Sequence, residues 1–129
     1  MKVSLLLFLA LPAYGLVCYE NDKGVSEVSN DSWDYCVLIP QTETTEARMF
    51  GISSQEDSVN SYETSFKTSE NDPVYKVLSV CLLEKYDLGA VNPKFGKPEF
   101  LFRCICNYDR CNSHQTFSRY ISTVRSDNA

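Results

Sequence analysis

Six cysteines, at positions 18, 36, 81, 104, 106 and 111, constrain this chain more than any other feature. All six follow a short leader: Met1-Lys2 is a basic start, Val3–Leu11 is apolar, and Ala13 and Gly15 are small residues spaced for cleavage after Gly15. Residues 1–15 therefore read as a secretory signal peptide, too short to span a bilayer. Secretion means an oxidising compartment, where an even set of cysteines forms disulfides rather than thiolates or metal ligands. At 129 residues the chain has room for one small domain, and three such bonds, each contributing roughly 2–4 kcal/mol, supplement a modest core. The expected division is a leader 1–15, a domain 16–112 and a C-terminal tail 113–129.

Six cysteines allow fifteen connectivities. Cys104 and Cys106 lie two apart on a strand-like run and share a face, so each bonds elsewhere. Cys106 and Cys111 enclose Asn-Tyr-Asp-Arg, a comfortable small loop, which leaves Cys104 needing a distant partner. β-Branched and aromatic runs predict strands at Leu16–Tyr19, Trp33–Ile39, Val74–Leu83 and Glu99–Cys106. Between them, Gln41–Asp72 is rich in Ser and Thr, poor in aliphatics and punctuated by acids. It reads as a long, partly disordered middle loop, with one short helix over Thr42–Phe50 ended by Gly51. In the tail, Phe117, Tyr120, Ile121 and Val124 form a helical stripe that docks on the sheet, binds a partner or stays disordered. The fold class is small, disulfide-rich and all-β.

The charge is uneven. Leu16–Pro73 holds twelve acids against three bases, whereas Val74–Ala129 holds eight bases against five acids. Net acidity opposes nucleic-acid binding and attachment to anionic lipid. The simplest reading of the asymmetry is attraction between the two halves within one domain. No second apolar stretch follows the leader, so neither a membrane span nor a lipid anchor is expected.

The ending Cys104-Ile-Cys106-Asn-Tyr-Asp-Arg-Cys111-Asn112 resembles the closing signature of the three-finger proteins. These are the lymphocyte-antigen-six and urokinase-receptor-like domains, with the related activin-receptor ectodomains and snake toxins. Leu16-Val-Cys18-Tyr19 is similar to the family's usual start. The resemblance implies a three-finger antiparallel β-sheet with the pairs Cys18–Cys36, Cys81–Cys104 and Cys106–Cys111. It also implies that the amide of Asn112 bonds backbone near the chain start and closes the disulfide hub. This chain departs from the family in lacking one bond: Asn21 stands where another cysteine is usual, and no cysteine occurs between 37 and 80. Ile105 also separates two closing cysteines that the family keeps adjacent, and the middle segment is long.

No catalytic constellation emerges. His114, the sole histidine, lies in the tail, every cysteine is expected to be paired, and Glu56-Asp57 reads as a solvated acidic surface. Neither enzyme chemistry, a cofactor nor a metal is expected. Asn30-Asp31-Ser32 is the one N-glycosylation sequon. Arg48-Met49-Phe50 and Lys94-Phe95-Gly96-Lys97 read as loop tips that combine bulk with charge, the usual chemistry of binding hot spots. The expected function is a secreted, monomeric module that binds an extracellular protein through its loop tips and modulates a receptor or ion channel. A soluble ligand trap and a structural component of an extracellular matrix or secretion are the alternatives.

Overall fold

A computed structural model describes residues 15–129, so the leader lies outside the described residues save for Gly15. Strand β1 (Leu16–Glu20) pairs with β2 (Ser26–Asn30) as a separate antiparallel hairpin. Strands β3 (Tyr35–Ile39), β4 (Arg48–Ile52), β5 (Ser79–Tyr86) and β6 (Glu99–Cys106) form an antiparallel sheet in the order β4-β3-β6-β5. Among the described residues two α-helices complete the fold, α1 (Asn60–Ser69) and α2 (Phe117–Asp127). The result is a small, disulfide-rich, mostly β fold.

Strand β3 organises the core, because all five of its residues are buried. Its alternation sends Tyr35, Val37 and Ile39 to one face and Cys36 and Leu38 to the other. The first face packs with Ile52, Ile105 and the Val59, Tyr62 and Phe66 side chains at and beyond the start of α1. The second packs with Cys18, Met49, the cysteines of the closing motif, and Tyr120 and Val124 of α2. Two hydrophobic layers thus share one central strand. At the edge of the core, Trp33 lies flat on Gly51, and a Cβ added there would overlap the indole ring.

Several expectations are corrected. Gln41–Asp72 is not a partly disordered loop: it holds β4, a 3₁₀ turn at Asp57–Val59 and α1. The short helix expected over Thr42–Phe50 is absent. Thr42 instead nucleates a turn in which its hydroxyl accepts from the N–H groups of Thr44 and Thr45, and β4 begins at Arg48. Helix α1 is polar except for Tyr62 and Phe66, yet those two, with Val59 just before it, suffice to dock it; Phe66 stacks on Tyr35 at 5.3 Å. The strand expected from Val74 begins at Ser79 and runs on to Tyr86. Local side chains capture its first amides: Asp72 accepts from Val74 and Tyr75, and the Ser69 hydroxyl accepts from Val77. Of the three readings for the tail, docking is the one observed. Thr116 caps α2, and Tyr120 and Val124 are buried.

Candidate functional site

The closing motif builds a hub against β1. The disulfides join Cys18 to Cys36, Cys81 to Cys104 and Cys106 to Cys111, the pairs that the resemblance implied. The Cys106–Cys111 loop lies along the outer edge of β1. Asp109 accepts from the Val17 N–H at 3.0 Å, and the Arg110 N–H donates to the Val17 carbonyl at 2.7 Å. Arg110 reaches that geometry with φ 62°, an uncommon conformation for a side-chain-bearing residue, and its guanidinium meets Glu27 at 3.1 Å. Two residues along β1, the fully buried amide of Asn112 accepts from the Tyr19 N–H at 2.9 Å and donates to the Tyr19 carbonyl at 3.1 Å. It also donates to the Val37 carbonyl at 2.9 Å, so one side chain ties the hairpin to the central strand.

Asn21 does comparable work on the opposite side. It donates to the Ala47 carbonyl at 2.6 Å and accepts from the Met49 N–H at 2.9 Å, closing the outer edge of β4. Sequence reasoning marked Asn21 only as the site of a missing cysteine. The signal lay in the residue itself, since an amide offers both a donor and an acceptor to a strand edge.

The two supposed tips differ. Arg48-Met49-Phe50 is not a loop tip but strand β4: Met49 is 2 % exposed, Phe50 is half-buried, and the Arg48 guanidinium sits 5.5 Å from the Phe50 ring centroid. Lys94-Phe95-Gly96-Lys97 does lie at the end of the β5–β6 hairpin. There, 3₁₀ turns at Leu88–Ala90 and Pro93–Phe95 are held by the Asn92 side chain, which accepts from the Lys94 N–H, and by Gly96 at φ 71°. Phe95 is 62 % exposed and Val91 88 %. Among the described residues, nine of the ten exposed large hydrophobics fall between Val74 and Phe100; the tenth is Val25.

Direct ion pairing between the acidic and basic halves is sparse. Among the described residues, Arg110–Glu27 is the single ion pair joining them, while Glu63–Lys67 and Glu84–Arg103 are local. Two of the three carboxylates on the hairpin have partners, Glu84 with Arg103 and Glu99 accepting from Thr44 at 2.9 Å, while Asp87 forms no ion pair among the described residues. Lys85, Lys94 and Lys97 form no ion pair with a described carboxylate. Asn30 ends β2 on exposed surface, and its side-chain oxygen accepts from the Ser32 N–H at 2.9 Å and the Ser32 hydroxyl at 2.7 Å. His114 lines a shallow polar depression with Gln41 and Arg119. No cluster of three His, Cys, Asp or Glu among the described residues is placed to hold a metal ion. No described helix is long and apolar enough to cross a membrane.

Fold and hub together define a small β protein locked by three disulfides, with one uncovered hairpin. The chain belongs to a family described as a family of unknown function (DUF5354), whose model matches residues 13–125. Neither a curated protein nor a solved structure matches it.

Proposed function

We propose that this is a secreted, non-enzymatic binding module of the three-finger type, which modulates an extracellular receptor or channel through the end of its β5–β6 hairpin. One observation carries the reading: the hairpin end exposes Leu88, Val91 and Phe95 beside Lys94 and Lys97, and none of the described residues buries them. Uncovered apolar bulk of this kind marks an interaction surface. The three-finger assignment is supported by the closing motif, the three pairs and the reach of Asn112 to the chain start. It is supported further by Asn21, whose two hydrogen bonds link β1 to β4 where the resemblance places an additional disulfide. A hairpin set by turns and disulfides loses little entropy on binding, so occlusion by its end is an economical mode of action.

The test is saturation binding of labelled protein to intact cells of the source organism. Phe95→Ala is expected to weaken binding roughly thirtyfold, the scale of a hot spot worth about 2 kcal/mol. Lys94→Glu with Lys97→Glu is expected to slow association and reduce its salt dependence. Unaltered binding by all three substitutions would reject the hairpin end as the contact.

Passage through the secretory route would also expose Asn30 to oligosaccharide transfer, and its free side-chain nitrogen is available because the oxygen holds Ser32. The secreted protein is expected to lose mass on treatment with an N-glycosidase, and Ser32→Ala to abolish the shift. A native protein of unmodified mass removes this part of the reading.

A further inference from the structure

The outer edges of β1 and β4 are closed by side chains, Asp109 and Asn112 on one and Asn21 on the other. Strand β5 ends the four-stranded sheet and has no such cover. Its register shows which groups are free. Cys81 lies opposite Cys104 with a Cα separation of 4.1 Å, the short spacing of a non-hydrogen-bonded antiparallel pair. The alternation then points the N–H and C=O groups of Cys81, Leu83 and Lys85 away from β6, while Leu82 and Glu84 bond to it. No hydrogen bond among the described residues reaches those outward groups. The strand contains no proline, and Leu83 at its centre is 63 % exposed. Such an edge is a template for another strand.

The geometry points to a second copy of this chain as the occupant, its β5 pairing antiparallel with β5 about a two-fold axis at Leu83. The strand is complementary to itself in this register. Leu83 meets Leu83 of the second copy, Lys85 falls opposite Cys81, Glu84 opposite Leu82, and Tyr86 opposite Val80. No like charges face each other, whereas a register centred on Glu84 would oppose two carboxylates. The flanks agree in charge. Antiparallel pairing lays the hairpin end of one copy, with Asp87, Lys94 and Lys97, alongside the base of the other strand, where Lys76, Asp72 and Glu70 are exposed. The exposed Val74 and Tyr75 lie on that same base. The two sheets would join into one of eight strands, replacing the expected monomer with a closed dimer. This pairing uses the edge of the hairpin; it shares Lys94 and Lys97 with the partner contact proposed at its end but makes no use of Phe95.

Sedimentation of the oxidised full chain decides the matter. A two-fold dimer with Kd of about 10 µM or tighter is expected. Leu83→Lys should weaken it at least tenfold, as should Leu83→Pro, which removes only an outward N–H and leaves the β6 ladder intact. Leu83→Val should dimerise. Because residue 83 is exposed, Leu83→Lys reports on pairing even where the proline variant folds poorly. Amide exchange supplies a second readout: protection of Cys81, Leu83 and Lys85 should rise with concentration, while Leu82 and Glu84 stay protected throughout. A monomer at about 100 µM overturns the proposal. So do an open-ended polymer, a dimer indifferent to both Leu83 substitutions, and exchange at Leu83 that ignores concentration. None of these outcomes bears on Phe95-dependent binding to cells.

Discussion

Replacing Asn112 with alanine is expected to destabilise the protein by about 3 kcal/mol or more. The side chain is fully buried and makes three hydrogen bonds, to both main-chain groups of Tyr19 and to the Val37 carbonyl. Truncation strands one donor and two acceptors away from water, and each such group costs roughly 1–3 kcal/mol. Against a total stability of about 5–15 kcal/mol, that is a large fraction. Asn112→Asp should be no better. It keeps an acceptor for the Tyr19 N–H but loses both donations and turns a buried carboxylate toward two carbonyls. Urea unfolding of the oxidised variants measures this directly, and a loss below about 1 kcal/mol would mean that the hub does not depend on the amide.

The second large effect concerns the docking of α2. Tyr120 is fully buried against the disulfides, and its hydroxyl pairs with Ser79 at 2.6 Å. Tyr120→Ala should cost about 3–5 kcal/mol and free the helix from the sheet. Tyr120→Phe preserves the packing and should cost only about 1 kcal/mol. Burial pushes the Tyr120 phenol up to about 12, with the Ser79 bond acting weakly the other way. A phenol whose folded value lies above its unfolded value stabilises fully below pH 10. Because the unfolded chain ionises first, stability falls by about 3 kcal/mol as pH rises from 10 through 12. Tyr108 shifts in the same direction through burial and its bond to Asp127 at 3.0 Å, so both anchors of α2 are sensitive to alkali. Unfolding midpoints across pH 8–13 should fall more steeply for the native protein than for Tyr120→Phe. Parallel profiles would locate the alkaline lability elsewhere.

At the acid end the Asp72 turn behaves oppositely. The N–H groups of Tyr75 and Val74 hold its carboxyl below the ordinary value. Whatever this turn contributes is present above the unfolded value and is lost as pH falls through the lowered one.

What could be read directly from the residues was whatever rested on short-range chemistry. The cysteine spacing, the β-branched run of β3 and the apolar stripe of α2 each impose their geometry within a few positions. Helix α1 escaped notice because it holds only two aromatic residues among polar neighbours, and its stability comes from distant partners, Tyr35 and Ile105, that no local window contains. Strand β4 escaped for the same reason: Arg48 and Gly51 interrupt its pattern, and pairing with β3 overrides it. The boundary of β5 was misplaced because Asp72 and Ser69 compete for amides that alternation alone would assign to a ladder. At the hairpin end, composition located bulk and charge correctly at Phe95 and Lys94. The same composition at Met49 proved to be core, since exposure is decided by neighbours and not by residue type.

The end of the β5–β6 hairpin has a consequence for how such a chain can diverge. From Asp87 to Pro98 no residue is buried, and every disulfide and hub hydrogen bond lies outside that stretch. Apart from Asn92 and Gly96, which shape the turn, and Gly89, where a Cβ would run into the Gly96 carbonyl, substitutions there leave the architecture untouched. Selection can therefore rewrite these positions freely, and gene copies sharing one hub can acquire different targets without first having to regain a fold.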